Sequence, residues 1–338
     1  MYRQFYNLER NPFEITPDPT FYCPTPLHNE ALAGLRYGIE QRKGFVVTTG
    51  EVGTGKTLLI QCLMRWLDKS HIAFSHVFNS RLTVVEFLQY ISADLGLASA
   101  NKNKSELLVQ LNQFLIDRYR KGSTTVLIVD EGQLLEWDVL EEIRLLTNLE
   151  TVRQKLLQII LIGQPELEDK LESTNLRQLK QRIAFRCRLE PLTEGELRAY
   201  VYRRLGVAGA SSHACEYLFP IATLNRIFPY SLGIPRLVNT ICDSALITGY
   251  ARQLLSITPE IIDEVALDAR LETSRPISPR KALEPHWERS GTTSSGEPLD
   301  RDELLRGLFE MMQLPDIGDN SREPSGSAEL AKKEGAGA

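Results

Sequence analysis

The chain has 338 residues, enough for two packed domains and a tail, and its 39 Lys and Arg against 44 Asp and Glu give a formal net charge of −5. That balance argues against a protein that coats nucleic acid with its whole surface, although a local basic patch is compatible with it. Its five cysteines are scattered without a C-x-x-C pair, which favours reduced residues of a cytoplasmic protein over disulfides or zinc ligands.

The N-terminal segment, residues 1–43, lacks the apolar stretch of a signal peptide, and no run in the chain approaches the roughly 20 apolar residues of a membrane span. We therefore expect a cytoplasmic protein without a transmembrane segment of its own. The next stretch, "GFVVTTG" (44–50), is a short apolar run rich in β-branched residues and predicts a buried strand. "KTLLIQCLMRWLDK" (56–69) repeats apolar residues at helical spacing.

The turn between this strand and this helix, "GEVGTGKT", matches the pattern G-x-x-x-x-G-K-[ST]. Glycines allow a tight loop whose backbone N–H groups face inward, and the N-terminus of the following helix favours an anion. The pattern therefore predicts a loop that holds nucleotide phosphates, with Lys56 reaching the outer phosphates and the Thr57 hydroxyl binding magnesium. The predicted loop residues are Gly50, Glu51, Val52, Gly53, Thr54, Gly55, Lys56 and Thr57.

Further strands and helices alternate along the next hundred residues. Apolar strands are predicted at 71–79, 124–131, 155–164 and 184–192, and helices at 83–97, 105–122 and 139–150. This alternation predicts an α/β fold in which a parallel sheet is flanked by helices, and it covers about residues 1–192.

Two acids end the predicted strand "TTVLIVDE" (124–131). Because ligands of a parallel sheet lie beyond the carboxyl ends of its strands, Asp130 and Glu131 are expected beside Lys56 and Thr57. Asp130 would hold magnesium, and Glu131 would orient and deprotonate an attacking water. The alternative is a solvated acidic pair at a strand end. The pattern favours ATP hydrolysis over ATP binding alone, with ATP and Mg²⁺ as cofactors.

Two more side chains are candidates for contact with the γ-phosphate. Gln164 ends the next predicted strand, where its amide would contact the γ-phosphate or the water; otherwise it is a turn residue before a helix. Arg182 lies in an arginine-rich run at a helix-to-strand junction, from which it would reach the nucleotide of a neighbouring subunit as an arginine finger. The alternative is a solvated arginine.

From residue 193 to 272 the pattern is helical only, which predicts a small helical domain. Thr193 and Glu196 form a predicted capping box at its start. "GIPRLVN" (233–239) begins another helix and puts Arg236 in the first turn, where the helix dipole does not favour a cation. That mismatch predicts a ligand, so that Arg236 would fold over the nucleotide when the helical domain closes. The alternative is an exposed arginine.

The last part of the chain, residues 273–338, is polar and rich in Ser, Pro and Gly, and it is predicted to be largely disordered. Within it, residues 300–314 place Leu304, Leu308 and Met312 at helical spacing. We expect an amphipathic helix that docks on a partner or on the body of the same chain. The alternative is a helix that forms only transiently.

Taken together, these motifs resemble the AAA+ ATPases of the ExeA/GspA secretion type. The resemblance covers about residues 1–270 and rests on the glycine-rich loop, "LIVDE" (127–131), "GQPEL" (163–167), "QRI" (181–183) and "GIPRLVN", in this order. It implies a P-loop AAA+ core, the helical domain as its lid, and active sites shared between subunits of an ATP-dependent homo-oligomer.

The family's functional positions fall on residues already singled out by their chemistry. Walker A falls on 50–57, Walker B on Asp130 and Glu131, sensor 1 on Gln164, the arginine finger on Arg182 and sensor 2 on Arg236. The glutamine replaces the Asn or Thr that is commoner at sensor 1 of AAA+ proteins. Pro229 is expected to interrupt a helix of the lid.

The resemblance implies an ATPase that supports assembly of an envelope machine, either a type IV pilus of the mannose-sensitive haemagglutinin type or a type II secretion apparatus. Its expected partner is an inner-membrane component that holds it peripherally at the membrane. The alternative is a DNA-binding regulator, because transposition target-selection ATPases share this branch of AAA+, but the acidic balance counts against nucleic acid. A third alternative, a nucleotide-gated switch that barely turns over, is disfavoured by Glu131.

Overall fold

The computed structural model describes residues 1–78 and 81–271 of the chain. The strands are β1 Phe45–Gly50, β2 Ala73–Val77, β3 Thr125–Val129, β4 Leu157–Gly163 and β5 Phe185–Leu189. The helices are α1 Tyr2–Phe5, α2 Pro26–Glu40, α3 Lys56–Lys69, α4 Val84–Asp94, α5 Lys104–Arg120, α6 Trp137–Leu146, α7 Glu166–Glu172, α8 Arg177–Lys180, α9 Glu194–Val207, α10 Ser212–Leu218, α11 Ile221–Ser231, α12 Pro235–Ala251 and α13 Pro259–Asp268.

The strands form one parallel sheet in the order β2-β3-β4-β1-β5. β1, β3 and β4 are buried along their whole length, which explains why each is a continuous apolar run rather than an alternating one. The predicted parallel sheet flanked by helices is therefore confirmed. Each strand is shorter than the run that predicted it, because the runs include flanking turn residues such as His71 and Glu190, which are exposed and lie outside the ladder of backbone hydrogen bonds.

Helices cover both faces of the sheet, and side chains of β1 alternate between them. Phe45 and Val47 pack into an apolar cluster with α4, α5 and α6. Val46 points to the other face, where it packs with residues of α2 and α3. The sheet with these two helical layers positions the loops that follow β1, β3 and β4 at one edge.

Helices α9 to α13 surround a third apolar cluster of their own. Phe13 belongs to this cluster, and Tyr2 and Tyr6 pack against it, so the first part of the N-terminal segment lies on the helical region. α2, later in the same segment, packs on the sheet. All of the described residues lie within one compact unit. The predicted boundary at residue 192 separates the last strand from α9, and it stays a prediction.

The junction between the sheet and the helical region depends on a glycine. Gly233 has φ +75°, and a methyl group added to it would lie 1.9 Å from the carbonyl oxygen of Leu192. The Leu192 amide donates a hydrogen bond of 2.8 Å to the Gly233 oxygen, so two backbone segments touch directly. Only a residue without a side chain fits this contact.

The local predictions for the helical region hold in part. The capping box of Thr193 and Glu196 is present at the start of α9 and is confirmed. The expectation that Pro229 interrupts a helix is wrong, because Pro229 lies inside α11. That helix ends at Ser231, so the missing N–H of Pro229 removes one bond from the final turn only.

The predicted tail, residues 273–338, and its amphipathic stretch 300–314 lie outside the described residues. Over 1–78 and 81–271, none of the helices has the length and apolar character needed to cross a bilayer.

Candidate functional site

The loop that follows β1 is built by glycines in conformations that other residues avoid. Gly53 has φ +83° and Gly55 has φ +103°. Gly50 needs a glycine for lack of space, since an added methyl group would lie 2.8 Å from Thr54 Oγ1 and 3.0 Å from the carbonyl oxygen of Leu189. These constraints give the tight turn that the sequence pattern predicts.

Lys56 begins α3, and its side chain returns into the loop. It is 6% exposed, and its Nζ donates hydrogen bonds to the carbonyl oxygens of Gly50 (2.8 Å) and Glu51 (3.0 Å). Burial lowers the pKa of the Lys56 ammonium, and the nearby carboxylates of Glu131 and Asp130 oppose that shift. The predicted cation and the two predicted acids therefore lie within electrostatic range of one another.

The first turn of α3 suits an anion. Its N-cap residue is Gly55, which offers no side-chain oxygen to the first N–H groups of the helix. Thr57 is exposed in this turn, whereas Thr54 is buried and donates its hydroxyl to the Glu51 oxygen (2.8 Å). Unpaired N–H groups, a buried ammonium and an exposed hydroxyl at one helix N-terminus fit the phosphates of a nucleotide.

Asp130 and Glu131 follow β3 at the same edge of the sheet. Asp130 is 7% exposed, its amide donates to the Val77 oxygen (2.9 Å), and its Oδ1 accepts from the Glu131 amide (2.8 Å). Burial raises the pKa of the Asp130 carboxyl above its ordinary value. Glu131 has φ +53°, a left-handed conformation that is uncommon outside glycine and that turns the chain directly after the strand.

Two amides hold the Glu131 carboxylate, and the sequence predicted only one of them. Nε2 of Gln164 lies 3.3 Å from Glu131 Oε2, so the residue after β4 contacts the residue after β3. Nε2 of Gln133 donates to the same oxygen at 2.6 Å. Oε1 of Gln133 accepts a hydrogen bond from the backbone N–H of Gln164 at 3.0 Å. Gln133 was missed because its only signal is its place two residues after Glu131.

The oxygen donors at this edge fit magnesium. Within the described part of the chain, no group of three or more His, Cys, Asp and Glu side chains could hold a metal ion by itself. Mg²⁺ commonly takes one or two protein oxygens and completes its shell with phosphates and water. The Asp130 carboxylate and the Thr57 hydroxyl are hard oxygen donors of that kind.

Arg236 lies in the first turn of α12, as the sequence predicted, and this turn is next to the loop. Its backbone N–H donates to the Gly53 oxygen (3.2 Å), and a methyl group on Gly53 would lie 2.8 Å from Arg236 Cβ. Its side chain is exposed. The helical region therefore contacts the loop directly, with an arginine at the point of contact.

Arg182 lies apart from the other predicted residues. It precedes β5, whose last residue Leu189 pairs with Gly50, so a strand of roughly 15 Å separates it from the loop. Its Nη1 donates to Thr147 Oγ1 at 2.8 Å. Arg182 cannot reach the loop of its own chain from there.

The site also includes a histidine that the sequence patterns did not assign. His28, in the first turn of α2, has its Nε2 3.0 Å from the carbonyl oxygen of Thr54. A separation of 26 residues hides this contact in the sequence.

Comparison with known proteins supports the fold and the predicted resemblance. Residues 39–171 match the family described as AAA domain. General secretion pathway protein A of Aeromonas hydrophila is 43% identical over 253 residues, which are 75% of this chain and 45% of that protein. The chain thus matches about half the length of this relative.

Solved structures share the fold at low sequence identity. The Aeropyrum pernix ORC2 protein has a TM-score of 0.56 at 16% identity and covers 77% of this chain and 72% of its own. Drosophila ORC bound to DNA has a TM-score of 0.57 at 18% identity, with coverage of 80% and 66%. The chain therefore has the P-loop AAA+ fold, and over three-quarters of its length it resembles general secretion pathway protein A.

Proposed function

We propose that the chain binds ATP with Mg²⁺ at the loop 50–57 and hydrolyses it. The observation that carries this proposal is the grouping of Lys56, Asp130, Glu131 and Gln164 at one edge of the sheet. A phosphate-binding cation, a metal-binding carboxylate and a base with its amide partner are the groups that phosphoryl transfer to water requires.

Each group has a separate task in this proposal. Bound Mg²⁺–ATP supplies the γ-phosphoryl group that water attacks. Lys56 neutralises charge on the outer phosphates, while Thr57 and Asp130 hold the metal. Glu131 accepts a proton from the attacking water, and Gln164 orients the Glu131 carboxylate or the water itself.

The two predicted arginines, Arg182 and Arg236, serve assembly and closure in this proposal. Arg182 acts in a homo-oligomer, where it reaches the nucleotide of the adjacent subunit; its distance from the loop of its own chain supports action between subunits. Arg236 contacts the nucleotide when the helical region closes, and its place beside Gly53 supports that role.

In the cell, we propose a role in the assembly of an envelope machine, at the inner membrane through a partner. The name of the Aeromonas relative, general secretion pathway protein A, supports a role in secretion, and the type II apparatus follows from the sequence resemblance. The finer alternative is the pilus role of MshM, the ATPase of mannose-sensitive haemagglutinin pilus biogenesis, which rests on the sequence resemblance alone. A DNA-binding role has weaker support because the net charge is −5.

Matched pairs of variants test the chemistry. Lys56→Ala should abolish Mg²⁺–ATP binding in a nucleotide titration, whereas Lys69→Ala, at the exposed end of α3, should not. Glu131→Gln should bind ATP normally but release phosphate roughly 10²-fold or more slowly. Glu136→Gln, an exposed acid, serves as its control. Hydrolysis by Glu131→Gln at the wild-type rate contradicts the assignment of Glu131 as the base.

A strain that lacks the gene tests the cellular role. Complementation with the wild-type gene or with Lys56→Ala would be scored for secreted enzymes in the medium and for pili on the surface. Loss of secretion alone supports the secretion role, and loss of pili alone supports the pilus role. Stimulation of ATPase activity by duplex DNA, weakening steeply with salt, would instead support the DNA-binding alternative.

A further inference from the structure

His28 connects the N-terminal segment to the phosphate-binding loop. Its ring is buried between two threonines: Nδ1 lies 2.7 Å from Thr25 Oγ1, and Nε2 lies 3.0 Å from the carbonyl oxygen of Thr54. Thr25 is 6% exposed and His28 is 8% exposed. Thr25 is also the N-cap residue of α2 and accepts the His28 amide, so the histidine is held at both its backbone and its ring.

These partners assign one protonation state to the ring. A carbonyl oxygen only accepts, so Nε2 carries the proton that is donated to Thr54. Nδ1 is then the acceptor for the Thr25 hydroxyl. Burial lowers the pKa of His28 below its ordinary value, which keeps the ring neutral. The ring therefore acts as a fixed donor toward the loop.

The bond from His28 sets the orientation of the peptide between Thr54 and Gly55. This peptide is trans, so its C=O and its N–H point in opposite directions. With the Thr54 oxygen held toward His28, the Gly55 N–H points to the opposite side. Gly55 has a left-handed backbone (φ +103°) and no side chain of its own to restrain this peptide. A methyl group added to Gly55 would lie 3.1 Å from His28 Nε2.

The segment that carries His28 is anchored on the helical region. The buried Arg204 of α9 donates to the carbonyl oxygens of Pro12 (2.5 Å) and Glu14 (3.1 Å), and its guanidinium lies 4.7 Å from the centre of the Phe21 ring. Tyr22 follows Phe21, and its ring contacts the ring of His28. A continuous set of contacts thus runs from α9 to the loop.

We infer that His28 is a positioning residue for the phosphate-binding loop: its Nε2–H holds the Thr54 carbonyl so that the Gly55 N–H is available to a phosphate. Through the N-terminal segment, the same bond links the shape of the loop to the position of the helical region. The inference rests on the proposed nucleotide binding and assigns part of its control to a residue outside the loop.

Three variants separate the donor from the shape of the ring. His28→Phe keeps an aromatic ring but removes the donor; it should raise the Kd for Mg²⁺–ATP about five- to tenfold, the effect of one lost hydrogen bond. His28→Gln retains a donor amide and should stay within about threefold of the wild type. Thr25→Val removes the hydroxyl that donates to Nδ1 and helps to hold the ring, and it should weaken binding less than His28→Phe. The exposed His213→Phe is the matched control.

Two readouts distinguish positioning from packing. In the steady state, His28→Phe should raise KM while kcat changes less than twofold. Without nucleotide, it should speed amide hydrogen exchange in residues 53–56, and His28→Gln should not. Wild-type Kd and wild-type exchange in a folded His28→Phe protein would overturn the inference. Equal impairment in folded His28→Gln and His28→Phe would also overturn it, because packing rather than donation would then matter.

Failure of the proposed function gives a different pattern. If the wild-type protein binds no nucleotide, the proposal of ATP binding fails, while the exchange experiment still decides whether His28 holds the loop. If His28→Phe does not fold, His28→Leu, which also lacks a donor, provides the comparison with His28→Gln, and equal Kd and equal exchange in these two variants would contradict the inference.

Discussion

The side chains of Glu131 and Gln133 are hydrogen-bonded to each other: Nε2 of Gln133 donates to Oε2 of Glu131 at 2.6 Å. The Gln133 side chain also accepts a hydrogen bond from the backbone N–H of Gln164 at 3.0 Å, so it joins the end of β3 to the end of β4. Glu131 has a left-handed backbone that directs it away from its strand. The proposed base is therefore held by an amide that is itself fixed by a neighbouring strand.

Removing that amide should affect catalysis more than binding. Gln133→Leu should lower kcat about tenfold, because the Glu131 carboxylate loses the closer of its two amide donors and adopts other orientations. The Kd for Mg²⁺–ATP should change less than twofold. Phosphate release and nucleotide titration measure the two quantities, and Gln154→Leu, at an exposed glutamine, is the control. A Gln133→Leu protein with normal kcat would contradict a positioning role for Gln133.

Arg182 should act between subunits, with self-association that strengthens when ATP is added. Arg182→Ala and Glu131→Gln should each be inactive alone, yet a mixture should regain activity because some interfaces then contain one intact site. Arg177→Ala, at a nearby exposed arginine, should remain active. Thr147→Val should also remain active. It removes the hydroxyl that Arg182 contacts within its own chain, but the Arg182 guanidinium itself is still present to act on the neighbouring subunit.

Mixing experiments need proof of co-assembly. Sedimentation of the mixture with ATP supplies it, using one variant with a fluorescent label. If the two proteins co-assemble and no activity returns, action of Arg182 in trans is wrong.

Asp130→Asn should stabilise the nucleotide-free protein. Burial raises the pKa of the Asp130 carboxyl in the folded state. The ionised form therefore costs stability, and this cost is absent below the ordinary aspartate pKa of about 4 and grows as pH rises through the raised value. At pH 7.5 we expect a melting temperature about 1–3 °C higher, the size of a change near 1 kcal/mol in a large domain. A shift that is the same at pH 4 and pH 7.5 would contradict this explanation.

Gly233→Ala should destabilise the fold by about 2 kcal/mol or more. The substitution puts a methyl group against the Leu192 backbone at a left-handed position, so both strain and collision oppose it. Gly206→Ala is the matched control, because an added methyl group there meets nothing within 4 Å inside α9 and should gain roughly 0.5 kcal/mol. Urea unfolding measures both, and equal stability of the two variants would contradict the proposed constraint.

The sequence by itself determined the features that depend on neighbours along the chain. The helix at 56–69 and its glycine loop follow from apolar spacing and from residues that tolerate positive φ. The capping box of Thr193 and Glu196 follows in the same way, because its partners lie three residues apart. Pro229 is the exception: the sequence pattern predicted a break there, but α11 runs through it and ends two residues later, with one backbone hydrogen bond to the preceding turn lost.

Only the tertiary structure decided which distant segments meet. The order β2-β3-β4-β1-β5 puts Gln164 beside Glu131 and leaves Arg182 at the other end of β5. His28 contacts Thr54 across 26 residues, and nothing in the spacing of either residue indicates the other. Periodicity reports which face of an element is buried, but the partner of that face is chosen by packing of the whole core, where a single added methyl group changes the fit.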